Sequence, residues 1–400
     1  MSTISKLGHE VSIAGRVALR HLRSSLTGRQ TPAPDTAEFR ARCARWLHPL
    51  PDDLLIETVH VDLPGNEPPW FDTGLDLRAG DTVTWLACGR VYLSKLLDIW
   101  VGPGFQLWGR VGATGTVFSG TRDTFSFTAE KGGRLYLASY FPAEWSTRGG
   151  ELATDPGDYR KASGSLSVRL LRWRRHQTPA EGLARLTQRT DAPAQASAEI
   201  RRLGSVAQPP SGWQYLWFLG DAEIYSPAND GHGIACRTHG DVGILQTAFE
   251  LPLTTDTFLE WEWRVDELPS ELAEDTLPTH DYLSIAVEFD NGQDITWHWS
   301  AKLPVETIYR CPLPTWKHRE THIVIRQGPR GLGRWQAESR NVFEDCVNAL
   351  GAPADRIVKI WLIANSLFQR KPGRVEYRNI RVVSHGSTHA INQPPRDASS

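Results

Sequence analysis

The sequence predicts an all-β protein: two β-sandwich domains of the jelly-roll, galactose-binding-like kind behind an N-terminal helical segment. Three observations predict it. From about Leu54 to Val383 the apolar residues alternate in short runs, the period of a half-buried strand. Gly and Pro punctuate these runs about every ten residues, a sandwich rhythm rather than a βαβ one. At 400 residues and 40% hydrophobic content, the chain is long and apolar enough for two ordinary cores.

Taken in order, residues 1–50 are helical. Over 1–29, Ile4, Leu7, Val11, Ala14, Ala18, Leu22 and Leu26 form a stripe, with Lys6, Arg16, Arg20, Arg23 and Arg29 off it against Glu10 alone. Such a helix either packs on its own domain or lies on an anionic membrane surface. Pro32 and Pro34 break it, and a second helix is predicted over 36–47 with Phe39, Cys43 and Leu47 on one face. Residues 51–173 form the first β block, with strands near 56–61, 81–86, 134–139 and 165–170. Residues 174–212 read as a linker carrying weak helices near 180–186 and 196–203. The second block, 213–384, has strands near 258–265, 282–289, 295–300, 320–326, 358–364 and 375–382. Asp290-Asn-Gly292 predicts a hairpin, and a helix over 342–350 ends at Gly351. Residues 385–400 read as a flexible tail.

Composition excludes several classes. A formal net charge of −2 gives no basic face for nucleic acid. No stretch approaches the roughly 20 apolar residues of a membrane span. The five cysteines, Cys43, Cys88, Cys236, Cys311 and Cys346, are scattered and odd in number, which fits a reducing, cytoplasmic compartment, with peripheral membrane association through residues 1–29 as the alternative. There is no Gly-x-x-x-x-Gly-Lys, no Gly-x-Ser-x-Gly, no His-Glu-x-x-His and no dinucleotide fingerprint, so no cofactor is predicted. The 16 Trp are core plates or platforms for flat ligand faces such as sugars.

Alternation locates the candidate chemistry. Glu260, Glu262 and Arg264 share one face of their strand, opposite Trp261 and Trp263. Glu288 falls on the polar face of the next strand. His298 lies opposite Trp297 and Trp299, and Glu320, His322 and Arg326 fall on even positions further on. The hairpin would bring Glu288 and His298 opposite or diagonal to each other. The simplest reading of this face is a solvated one. The functional readings are a Trp- and carboxylate-lined cleft for a glycan or other small molecule, with Glu260, Glu262, Arg264, His322 and Arg326 as ligand-binding residues, or an enzyme on a small or lipidic substrate with Glu288 and His298 as acid/base pair. A third reading is an assembly or membrane-surface protein docked through residues 1–29. Three further sets carry residues of reactive or ligating type. His232, Cys236 and His239 have metal-ligand spacing but would not share a strand face, so no metal site is predicted. His280-Asp281 is an oriented imidazole or a turn cap. Cys311 shows no base near it in sequence.

Two stretches resemble known families. Trp70-Phe-Asp-Thr-Gly-Leu-Asp-Leu-Arg-Ala-Gly-Asp-Thr-Val83, Arg110–Thr116, Lys131–Leu137 and Tyr159–Val168 resemble the calcium-dependent galactose-binding lectins of pseudomonads. That resemblance implies the fold. The family's adjacent Asn ligands fall on Lys161 and Ala162, and its Asp falls near Phe141, so the calcium and sugar site is expected to be lost or rebuilt, with Asp155 and Asp158 as the available oxygens. Residues 213–383 resemble an uncharacterised bacterial family through Trp261-Glu-Trp-Arg-Val265, Asp281-Tyr282 and Trp335-Gln-Ala-Glu-Ser-Arg-Asn-Val342. This resemblance implies a galactose-binding-like sandwich and no particular activity.

Overall fold

The computed structural model describes residues 33–391, apart from 68, 96–98, 141–144, 154, 206–207, 217–221, 230 and 314–315. The helix expected over 1–29, with its membrane-surface role, lies outside the described residues, as do Phe141 and 392–400. The chain divides into two compact units, with residues 207–217 and 223 onward in the second. No helix among the described residues is long and apolar enough to cross a membrane. All five cysteines are buried and none forms a disulfide.

In the first unit, strands Leu55–Pro64, Ser163–Trp173, Thr82–Ser94 and Ile99–Val101 pair in that order, with Thr124–Thr128 also on Thr82–Ser94. Phe71–Leu77, Gly133–Ser139, Leu107–Val111 and Phe118–Ser119 make a second sheet. Trp85 of the first sheet stacks on Phe118 of the second at 5.9 Å, so the layers share a core.

Strand Thr82–Ser94 breaks the alternation rule: six consecutive residues from Val83 to Cys88 are buried. Its outer face is covered as well. Leu86, Cys88, Leu171 and Trp173 pack with Phe39, Cys43 and Trp46 of helix Thr36–Trp46, with Leu183 and Leu186 of helix Pro179–Leu186, and with Ala196 of helix Ala194–Leu203. The stretch 174–212 is therefore not a free linker. Its helices supply the third layer that an apolar outer face demands. The first of them opens on a side-chain cap: the Thr178 hydroxyl accepts from the Glu181 N–H and donates to the Glu181 carboxylate, with Pro179 in the first turn.

A buried carboxylate pins the turn before this strand. Asp81 accepts from the Arg78 N–H (2.7 Å) and from Arg172 (2.5 Å). Burial pushes its carboxyl up, but the Arg78 N–H bond and the Arg172 guanidinium outweigh burial and hold it below its usual value. Its folded pKa thus lies under the unfolded one of about 3.9, so its contribution is present above that pH and is lost as pH falls through the folded value. Asp81→Asn is expected to lower stability by about 1–3 kcal/mol at neutral pH. The gap to wild type should begin to narrow below about pH 4 and close as pH falls through the folded value, as read from urea midpoints along that range.

In the second unit, Gln214–Tyr215, Val242–Pro252, Arg356–Asn365, Tyr282–Phe289, Asp294–Ser300, Glu320–Gln327 and Ile308–Arg310 form a seven-stranded sheet in that order. Tyr225–Pro227, Gly233–His239, Pro372–Ser384, Phe258–Glu267 and Gln336–Asn341 form the other sheet, with Ser387–Ala390 on Pro372–Ser384. The stretch after Ser384 is thus not wholly a loose tail: it adds a strand, and Ile391 is buried in the core. The inward faces carry the expected alternation. Leu259, Trp261, Trp263 and Val265 meet Leu283, Ile285, Val287, Trp297 and Trp299, with Trp263 and Trp299 centroids 5.8 Å apart. Helix Val342–Leu350 starts on an Asn341 cap and stops at Gly351 in the left-handed region.

One topological feature decides where the site lies. Asp294–Ser300 and Glu320–Gln327 are neighbours and parallel. Parallel neighbours need a crossover connection, and this one returns over the outer face of the sheet. Cys311 and Trp316 of the crossover pack with Tyr282, Ala286 and Trp361 of the sheet. Every residue of Tyr282–Phe289 and Asp294–Ser300 is buried as a result.

Candidate functional site

The covered face of the seven-stranded sheet holds a polar cluster. His280 precedes strand Tyr282–Phe289, His298 comes from Asp294–Ser300, Tyr309 and Cys311 from the crossover, and Glu320 and His322 from one face of Glu320–Gln327. His280, His298 and His322 are fully buried, and Cys311 and Glu320 are each 1% exposed. His280 Nδ1 lies 2.7 Å from the Glu274 carbonyl oxygen. A carbonyl only accepts, so Nδ1 carries the proton. Burial, reinforced by His322, pushes the His280 pKa down to about 3, so the ring is neutral and its Nε2 carries a lone pair. That Nε2 lies 3.3 Å from Cys311 Sγ. Glu320 Oε1 accepts from the Tyr282 hydroxyl (3.0 Å) and the Thr296 hydroxyl (3.1 Å). Tyr309 stacks on His322 with centroids 4.8 Å apart, and its hydroxyl lies 3.1 Å from His298 Nε2.

This arrangement corrects several sequence expectations. The face carrying His298 and His322 is neither solvated nor a cleft, because the crossover lies on it. Glu288 and His298 are not partners: Glu288 pairs with Asp294 and His298 with Ser284. Those positions are four residues apart along the strand, about 13 Å. Glu288 instead takes Lys359 at 2.8 Å. The acid/base pair is therefore absent. Arg326 follows a register irregularity after Val324, which turns it to Glu338 and the Trp299 ring, away from His322. Glu260, Glu262 and Arg264 lie on the other sheet, and the indoles of Trp261, Trp263, Trp297 and Trp299 are in the core. Asp281 does not orient His280; its carboxylate caps the N–H groups of Phe368 and Gln369. Cys236 is in the core while His232 and His239 are exposed, so that trio does not converge. Cys311, which shows no base in sequence, has His280 beside it. In the first unit Ala162 is buried, and Asp155 accepts from the Gly157 N–H within its own turn.

Glu260 and Glu262 nevertheless sit in a second polar feature. On the outer face of the six-stranded sheet, a depression of about 260 Å³ is lined by Glu260, Trp261, Glu262, Ala337, Glu338, Ser339, Asn379 and Arg381. Each carboxylate of strand Phe258–Glu267 here is held. Glu262 accepts from Arg378 (2.7 and 2.9 Å) and Asn379 (2.7 Å), and Glu260 from Arg381 (2.7 Å). Together these bonds hold the Glu262 carboxyl below its usual value against the opposing effect of burial. A bulge opposite Glu260–Glu262 inserts Asn379, whose φ of 53° lies in the left-handed region that Asn tolerates, and aims its amide at Glu262. Arg264 pairs with Glu376 and Asp266 beside it. The half-buried Trp335 ring lies 3.9 Å from the Arg378 guanidinium.

Fold and sites define the class: an all-β protein of sandwich units, the second with one buried His/Cys/Glu cluster and one open polar depression. Residues 211–381 match the family described as "Protein of unknown function (DUF3047)". No curated protein matches the sequence. Among solved structures, the chain is similar to the N-terminal domain of EclA, a PllA-like lectin, at 17% identity over 30% of this chain and 98% of that one, with a TM-score of 0.23. It is similar to the xyloglucanase domain of NopAA, a type three effector from Sinorhizobium fredii, at 8% identity over 44% and 96%, with a TM-score of 0.29. The tandem CBM22 domains of Paenibacillus barcinonensis Xyn10C give 9% identity over 82% and 83%, with a TM-score of 0.24.

Proposed function

We propose that the protein is a carbohydrate-binding protein and that its second unit holds sugar hydroxyls in the depression around Glu260 and Glu262. The observation that supports this reading is the preorganisation of the two carboxylates. Sugar hydroxyls come in adjacent pairs that donate and accept, and a row of carboxylate, amide and guanidinium groups answers both roles. Arg378, Asn379 and Arg381 fix the carboxylate positions before any ligand arrives, which lowers the ordering cost of binding. The volume is below the usual range for enclosed ligand pockets. A single ring lying on an open floor is the expected mode, with a Kd on the order of 1 mM.

A glycan array followed by titration calorimetry on the full chain tests this reading. Glu262→Gln should weaken the best ligand by about 10- to 100-fold, since a lost charged hydrogen bond is worth about 1.5–3 kcal/mol and tenfold is 1.4 kcal/mol. Silence across the array from folded protein, or equal affinity for wild type and Glu262→Gln, would count against it.

A further inference from the structure

The buried cluster of the second unit has the donors, charge and support of a metal site. His280, Cys311, Glu320 and His322 each offer one ligand atom, and these atoms all lie within 4.8 Å of one another. They are the one such group of His, Cys, Asp and Glu among the described residues. Bond lengths of about 2.0–2.1 Å to nitrogen and 2.3 Å to sulfur imply tetrahedral ligand–ligand edges of about 3.3–3.8 Å. Two edges already have that length: Cys311 Sγ to His280 Nε2 is 3.3 Å, and His322 Nε2 to Glu320 Oε1 is 3.4 Å. A small inward movement of side chains closes the rest.

Burial makes a purely hydrogen-bonded cluster expensive. His322 Nδ1 has no hydrogen-bond partner and Nε2 faces only Glu320 at 3.4 Å, although the residue is fully buried. Buried polar atoms are nearly always paired. An anionic Glu320 at 1% exposure would also need a compensating charge. A divalent ion supplies both. One thiolate, one carboxylate and two neutral imidazoles carry a charge of −2, which the ion cancels.

The outer contacts are those of a ligand set held in place. The Glu274 carbonyl fixes the His280 tautomer with Nε2 free. Tyr282 and Thr296 hold the Glu320 carboxylate, and Tyr309 lies flat on His322. A thiolate with two imidazoles disfavours magnesium and calcium, which want oxygen, and fits the zinc class.

We propose that His280, Cys311, Glu320 and His322 together form the closed inner shell of a buried zinc-class divalent ion. Four protein ligands leave no open position, so its role is structural. The ion ties the loop before Tyr282–Phe289 and the crossover to strand Glu320–Gln327.

The test uses full-length protein stripped with a chelator and titrated with Co(II), which takes zinc sites and reports thiolate ligation. The expected result is about one Co(II) per chain with intense tetrahedral d–d bands and a near-ultraviolet sulfur-to-cobalt charge-transfer band. Zn(II) should displace it and raise the thermal midpoint by roughly 10 °C over the stripped protein. Cys311→Ser should abolish the charge-transfer band. Glu320→Gln should keep that band while weakening Co(II) binding, so the assignment survives if the serine variant does not fold. No Co(II) uptake by folded wild-type protein would overturn the proposal. So would a charge-transfer band that persists in Cys311→Ser, which would place the thiolate elsewhere.

Discussion

Trp297→Ala is expected to destabilise the second unit by about 3–5 kcal/mol, the range for emptying a large buried aromatic site. Trp297 is fully buried and its centroid lies 6.2 Å from that of Trp261 across the two sheets. Its Nε1–H also donates to Asp345 at 2.7 Å, fastening helix Val342–Leu350 to the core. The substitution therefore opens a cavity and removes a bond to a buried carboxylate that Arg340 also holds. Against a typical total of 5–15 kcal/mol, this is a large fraction of stability. Trp297→Phe separates the two effects: it keeps much of the volume, loses only the bond, and should cost about 1–3 kcal/mol. Urea unfolding followed by tryptophan emission reads both. A cost below 1 kcal/mol for Trp297→Ala would show that the ring is not a core plate.

Glu199→Ala should cost a similar amount, about 3–5 kcal/mol, in the first unit. Glu199 is fully buried and Arg202 is 4% exposed. Glu199 takes two bonds from Arg202 at 2.8 Å and one from Ser126 at 2.7 Å. Removing the carboxylate takes both of these charged bonds from a buried guanidinium, the costly way to break such a pair. Replacing both residues with Leu should recover most of the loss, because well-packed apolar residues often substitute for a buried pair without penalty. The experiment also decides the status of this helix. An exposed linker helix would tolerate Glu199→Ala within about 0.5 kcal/mol.

The contrast between those helices and the strands shows what local pattern can tell. The Trp261/Trp263 face and the hairpin after Phe289 were legible because they depend on period two and on turn chemistry, both local. The helices at Pro179–Leu186 and Ala194–Leu203 were visible as helices but not as a layer, since nothing local says that Leu86 and Leu171 need a cover. The site was half legible. Glu320 and His322 share a face by spacing alone, and His298 falls on the polar face of its strand. Their burial, and the arrival of Cys311 and Tyr309, follow from the parallel pairing of Asp294–Ser300 with Glu320–Gln327, a long-range choice that leaves no local mark. The hairpin register by itself separated Glu288 from His298. Arg326 was lost to one irregularity of register, which reverses a side chain wherever it occurs.

X-ray absorption at the zinc edge of zinc-loaded full-length protein reads whether His280, Cys311, Glu320 and His322 hold one ion inside the second unit. The expected spectrum is that of a four-coordinate shell with one sulfur at about 2.3 Å and three nitrogen or oxygen atoms at about 2.0–2.2 Å. A shell of nitrogen and oxygen alone, lacking sulfur, would contradict it.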